Sequence, residues 1–179
     1  TPSTNSEGPR EGALGASGGS AALPTGRTRM WSNWSGNQSC RALVLQPSTE
    51  AEVRRIVADA AAAGRAVRAV GSGHSFSDLA LSDDVLVDLA GLDRILSIDR
   101  DACTVVVQAG ARLHQVSEAL WTRGLAFTNL GDIDGQTVAG ATQTATHGTG
   151  MSFGNLSSAI VGMRLIDGTG GVHDVDRID

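Results

Sequence analysis

Ala66-Val67-Arg68-Ala69-Val70-Gly71-Ser72-Gly73-His74-Ser75-Phe76 runs from an apolar segment straight into two glycines that bracket a serine. Glycines at 71 and 73 let the backbone turn sharply and approach a ligand closely, because no Cβ stands in the way. Successive N–H groups in such a turn form a concave site for an anion such as phosphate. His74 stands at the rim, where a ligand ring system would lie. A plain glycine turn with a surface histidine would read the same from this loop alone, so its neighbours decide. Two familiar phosphate motifs are excluded. The last glycine of the dinucleotide fingerprint is replaced by Phe76. The P-loop needs a lysine, and all fourteen basic residues here are arginine.

Upstream, Ala42-Leu43-Val44-Leu45 predicts a short strand ending before Pro47. Thr49-Glu50-Ala51-Glu52 matches a capping box. Val53, Ile56, Val57 and Ala60 follow at helical spacing, and Gly64 supplies the stop. With Ala66 to Val70 as the next strand, this is a β-α-β unit whose strands are expected to be parallel through a right-handed crossover. Ligands gather at the carboxyl ends of such strands, where the Gly71–Ser75 loop sits. Downstream, Val85 to Leu89 predicts another strand. Ile95 to Ile98 and Thr104 to Val107 form a pair around Asp99-Arg100-Asp101. Arg112 to Arg123 predicts a helix with Leu113, Val116 and Leu120 on one face and Gly124 at its end. Ile160 to Ile166 and Val172 to Val175 read as a hairpin. The fold class expected is α+β: a small parallel β-α-β subdomain and a second, mainly antiparallel sheet with flanking helices.

A second unusual stretch spans Asn129 to Gly150, where small and hydroxylic residues dominate. Val138 to Ala145 reads as a short helix of small residues, which would let a polyphosphate come close with threonine hydroxyls as donors. An irregular Thr/Gly loop has the same composition. The four histidines, at 74, 114, 147 and 173, show no metal-ligand spacing, and no metal is expected. His114 and His173 read as solvated bystanders.

The chain has 179 residues, 41% hydrophobic and 18% charged, which suits one globular domain. Its net charge of −5 and the lack of a basic cluster argue against nucleic acid as a partner. Cys40 and Cys103 are too few for a disulfide framework. No apolar run reaches membrane-span length, and no compact apolar leader stands at the start. Residues 1–29 are rich in Gly, Ser, Pro, Thr and Ala and read as a disordered tail, leaving 30–179 as the folded domain. Met30 is the first methionine, so the tail is expected to be a processed or added segment, or the natural start to lie near Met30. Trp31 and Trp34 are read as packing residues rather than pocket walls.

Asn33-Trp34-Ser35-Gly36-Asn37, Val70 to Ser75, Gln136 to Ala141 and Thr146 to Gly150 together resemble the FAD-binding (PCMH-type) domain of vanillyl-alcohol-oxidase-type flavoproteins. The resemblance is to the branch of sugar-1,4-lactone oxidases (gulonolactone and arabinonolactone oxidase) and alditol oxidase, and it runs from Trp31 to Asp179. It implies FAD as cofactor, with Val70, Gly71, Ser72, Gly73, His74 and Ser75 at the pyrophosphate and His74 bonded covalently to the flavin 8α-methyl. It implies that Asp132, Thr137, Gly140, Thr144, Thr146 and His147 line the phosphates and the ring. Gly131 matches the position that gates oxygen. The activity implied is oxidation of a sugar lactone or polyol, with hydride passing to flavin N5 and oxygen taking the electrons to give hydrogen peroxide. The family chain continues into a C-terminal cap domain that holds most substrate groups, so this chain alone is expected to be inactive. The location expected is cytoplasmic, with membrane association as the alternative. Two other readings stay open: a flavin dehydrogenase using another acceptor, and a non-catalytic nucleotide-binding or assembly module.

Overall fold

In the computed structural model, which describes residues 26–176, the main sheet holds four strands. They are β1 (Arg27–Ser32), β2 (Ser39–Leu45), β3 (Val67–Val70) and β4 (Val85–Asp88), in the order β1-β2-β4-β3. β4 has parallel partners on both sides, with Val85 level with Leu43 of β2 and with Val67 of β3. A strand paired at both edges and covered on both faces calls for a continuous apolar run. Val85, Leu86 and Val87 supply it and are buried. Val85 and Val87 pack with Leu45 against Ile56 and Ala60 of α1 (Glu50–Ala62). Leu86, on the opposite face, packs with Cys40, Ala42, Val44 and Val70, and Trp31 lies against that cluster. The expected β-α-β unit is therefore present with β2 and β3 parallel, but β4 lies between them because it is the strand best able to be buried on both faces.

Thr49 caps α1 by accepting the Glu52 N–H at 3.2 Å. The reciprocal half of the capping box is shifted by one residue. The Glu52 carboxylate accepts from the Ser48 N–H at 2.7 Å instead of the Thr49 N–H. That bond is the main reason the Glu52 carboxyl is held below its usual value. Gly64 ends the helix at φ +65°.

The boundary of the tail needs correction. β1 begins at Arg27, inside the stretch assigned to the tail, and pairs antiparallel with β2 from Arg27↔Val44 to Ser32↔Ser39. Its residues 27–30 are exposed, so this edge strand is held mainly by backbone bonds and has no apolar alternation to announce it. Residues 1–25 of the expected tail lie outside the described residues.

The antiparallel half consists of two hairpins. β5 (Ile95–Asp99) pairs with β6 (Thr104–Val107), and β7 (Gly162–Ile166) pairs with β8 (Val172–Asp176). Helix α2 (Leu113–Trp121) buries Val116 and Leu120 against Ile95, Ile98, Val105 and Val107 of the first hairpin. Leu113 points instead to Ala141 of α3 (Val138–Gln143) and to Leu156. Burying each such side chain contributes roughly 1.5–3 kcal/mol. The second hairpin docks on α1, where Arg54 Nε donates to the Gly170 carbonyl at 3.1 Å and Arg164 pairs with Glu50 at 3.4 Å. Among the described residues no helix is long and apolar enough to cross a membrane.

Candidate functional site

The parallel strands end where the site begins. β3 stops at Val70, which is buried, and the chain turns through Gly71, Ser72 and Gly73. Gly71 lies so close to Thr137 that an added Cβ would collide with the Thr137 hydroxyl oxygen. Ser72 Oγ donates to the Gly135 carbonyl at 2.6 Å. These two contacts bring the Gly71–Ser75 loop and the 129–150 stretch together across 63 residues of sequence. Thr137 is buried and caps α3, its hydroxyl accepting from the Gly140 N–H at 3.2 Å.

A cavity of about 400 Å³ opens at this junction. Gly71, Ser72, Thr137, Arg112, Asp88 and Asp93 form most of its wall. The volume lies in the range of small-molecule sites. One wall offers hydroxyls, a guanidinium and a glycine backbone, a set suited to an anion. Asp88, which pairs with Val70 at the end of the sheet, and Asp93 add two carboxylates to the lining.

His74 leaves the cavity wall and faces another neighbour. Its ring stacks on Trp34 with centroids 5.4 Å apart and planes at 27°. A Cβ added at Gly135 would lie 3.6 Å from His74 Nε2, so that nitrogen faces the same loop that Ser72 grips. Gly73, at φ +68°, makes the turn possible, and its carbonyl accepts from the Trp34 N–H at 2.8 Å. Asn33 is buried beneath, and its Nδ2 donates to the Ser75 carbonyl at 2.9 Å and to Asn37 Oδ1 at 2.7 Å. Asn37 Nδ2 in turn reaches the Phe76 carbonyl at 3.1 Å. The Asn33–Asn37 turn thus clamps the glycine loop from below. The expectation that both tryptophans pack holds: Trp31 lies against the sheet core, and Trp34, 66% exposed on the outside of the domain, stacks on His74 and meets Phe76 edge-on.

The remaining expected site residues form a second group around the end of α3. Thr144 Oγ1 lies 3.5 Å from Thr146 Oγ1, and Gln136 Nε2 donates to Thr146 Oγ1 at 3.2 Å. A Cβ at Gly131 would lie 3.2 Å from Thr146 Cγ2 and 3.3 Å from the His147 carbonyl. Asp132 is exposed on the same loop. His147 Nδ1 lies 2.8 Å from the Gly148 carbonyl. Ala145, at φ +54°, closes α3 in the left-handed conformation, while the Thr146 N–H reaches back to the Ala141 carbonyl at 3.0 Å. Gly71, Ser72 and Thr137 line the cavity, whereas Ser75 turns its hydroxyl to Ser77 at 2.9 Å.

Sequence reasoning missed Arg112, Asp88, Asp93 and the clamp by Asn33. None belongs to the glycine or threonine motifs. Among the described residues no group of histidine, cysteine and carboxylate side chains could hold a metal ion. His173 is exposed and lies away from the cavity lining, as expected, and its Nε2 lies 2.6 Å from Asp167 Oδ2 across the β7–β8 turn.

Residues 41–176 match the model of a family described as FAD binding domain. The chain is 47% identical over 151 residues to an L-gulono-1,4-lactone dehydrogenase of Mycobacterium tuberculosis, which covers 84% of this chain and 35% of that protein. It is 38% identical over 152 residues to a D-arabinono-1,4-lactone oxidase of Kluyveromyces lactis, covering 82% of this chain and 29% of the other. A solved BBE-like 1 variant of Physcomitrella patens superposes with a TM-score of 0.68 at 30% identity, over 75% of this chain and 30% of that one. The chain spans about a third of the length of these relatives.

Proposed function

This chain belongs to the FAD binding domain family, and from that premise we propose that it is the flavin-holding portion of a covalent flavoprotein oxidase acting on a sugar-1,4-lactone or polyol hydroxyl. The observation that carries this reading is the junction of the two motif stretches, where Ser72 reaches Gly135 and Gly71 abuts Thr137 beside the cavity. The residues present fit the cofactor's anionic part. Gly71 has no space for a Cβ, Ser72 and Thr137 bring hydroxyls to the wall, and Arg112 brings a cation.

When bound, the flavin supplies the redox chemistry, accepting a hydride equivalent from the substrate C–H at N5 and, in the oxidase, passing two electrons to oxygen to give hydrogen peroxide. The chain's own residues position it. The glycine loop holds the phosphates with backbone N–H groups. His74 is the proposed point of covalent attachment, oriented by the Trp34 ring and by the Asn33 clamp on Ser75. Gly131, pressed on Thr146, is proposed to keep a path open for oxygen. Asp132, Gly140, Thr144 and His147 are proposed to line the ring and phosphates. The sugar-handling groups are proposed to lie in the part of the longer relatives that this chain does not span, and the expected location, cytoplasmic or at a membrane surface, belongs to the same proposal.

A dehydrogenase that uses another acceptor is the second reading, favoured by the 47% identity to a protein named as a dehydrogenase. A visible absorption spectrum of the purified protein with flavin bands supports the flavoprotein, and their absence refutes it. Oxygen uptake with a 1,4-lactone, measured on the full-length enzyme, then separates oxidase from dehydrogenase.

A further inference from the structure

The cavity beside the glycine loop has one basic residue on its wall, Arg112, and it stands outside both motifs. Its backbone is fixed in place. Arg112 forms a β-bridge with Thr137, the Leu113 N–H donates to the Gln136 carbonyl at 3.0 Å, and the Val138 N–H donates to the Ala111 carbonyl at 2.8 Å. Its side chain reaches across the junction. Nη1 donates to the Gly135 carbonyl at 3.1 Å and to Ser72 Oγ at 3.4 Å, the two atoms that also bind each other. Nε and Nη2 have no partner among the described residues, and no carboxylate pairs with this guanidinium there. A guanidinium held at one nitrogen, with two more free to donate into a cavity, is arranged to take a planar or tetrahedral oxyanion. Asp88, level with Val70 beside the glycine loop, and Asp93 also line the cavity, which leaves Arg112 as the one group on its lining whose charge attracts an anion.

Resting on the flavin reading above, we propose that Arg112 is the cation that receives the cofactor's diphosphate in this cavity. Its two present bonds hold the glycine loop in place, and its free donors bind the anion. The glycine loop then supplies backbone donors and Arg112 the charge that the loop lacks.

The test is FAD binding by the full-length protein carrying His74→Ala, so that bound flavin exchanges, with Arg112 intact, Arg112→Lys or Arg112→Gln. Flavin fluorescence gives the dissociation constant at several salt concentrations. Losing charge-assisted bonds to a phosphate should weaken FAD binding about 10- to 100-fold in Arg112→Gln. The salt dependence should become shallower in that variant, because a screened charge has been removed. Arg112→Lys keeps the charge but not the fork, so it should keep the parent's salt dependence at an intermediate affinity. If Arg112→Gln does not fold, the lysine variant alone decides, and affinity equal to the parent's overturns the proposal. Unchanged affinity in Arg112→Gln overturns it and leaves the flavin reading standing. Weaker binding with the parent's salt dependence also overturns it, since the residue would then act only on the loop's shape. If the His74→Ala protein binds no FAD while the unaltered protein carries flavin, the cavity contacts do not hold the cofactor and this inference falls; an unaltered protein without flavin removes the flavin reading as well.

Discussion

At the residue scale the site depends on atoms that are absent as much as on those present. Gly71 is a glycine because Thr137 occupies the space where a Cβ would go. Gly71→Ala must push the loop off Thr137, which should cost about 1–3 kcal/mol, as overpacking does elsewhere. Thermal unfolding should show the loss, and FAD affinity should fall with it; an unchanged midpoint contradicts the contact. Gly131 makes a related point with a different outcome. Its backbone angle is ordinary, and an alanine methyl would meet Thr146 Cγ2 at 3.2 Å, a contact that a small shift relieves. Gly131→Ala should therefore fold, and in the complete enzyme it should slow reoxidation of the flavin by oxygen more than reduction by substrate. Stopped-flow traces of the two half-reactions decide, and equal slowing removes the gating role. The glycines and His74 were legible because chemistry concentrated them in one short run. Arg112 was not, because a single arginine before a helix carries no pattern, and its importance comes from a β-bridge to a residue 25 positions away in sequence, Thr137.

At the scale of elements, strands buried on both faces announce themselves and edge strands do not. Val85-Leu86-Val87 could be read directly, whereas β1 could not, since Arg27 to Met30 are exposed and the strand lives on backbone bonds to β2. Parallel pairing of β2 and β3 was legible from the helix between them, but the insertion of β4 was not, because order in a sheet is set by which strand buries best. Helix α3 ends at Ala145 in a conformation that suits glycine. Ala145→Gly should stabilise the protein by about 1 kcal/mol, since the left-handed penalty on Cβ disappears. Chemical denaturation checks this, and a loss of stability contradicts it. The β7–β8 turn carries a pH signature. Asp167 accepts from the Thr169 hydroxyl, from His173, and from the Thr169 and Gly171 N–H groups, which hold its carboxyl well below the usual aspartate range. A carboxyl depressed in the folded state stabilises the turn above its unfolded value, and that stability is lost as pH falls toward the folded value. Amide protection at Thr169 and Gly171 should therefore persist at about pH 4 and fade only well below it. In Asp167→Asn, protection should be weaker at neutral pH and flat across that acid range.

At the scale of the whole molecule, two halves that could each bury a core meet at the cavity. The main sheet with α1 brings the glycine loop, and the α2–α3 half brings Thr137, Arg112 and the threonine-rich turn. The halves are laced by polar bonds, Ser72 to Gly135 and Arg112 to both, rather than by a shared apolar core. A junction of that kind suits a ligand that completes it. The FAD binding domain family to which the chain belongs makes a flavin nucleotide that ligand, and we propose that the loop at Gly71–Ser75 carries it through His74. Digestion after arginine separates the candidates cleanly. His74 lies in the peptide Ala69–Arg94, His147 in Gly124–Arg164, and the cysteines in Met30–Arg41 and Asp101–Arg112. Mass mapping of the full-length flavoprotein should find the flavin adduct on Ala69–Arg94. An adduct on Gly124–Arg164, on either cysteine peptide, or on no peptide contradicts the claim.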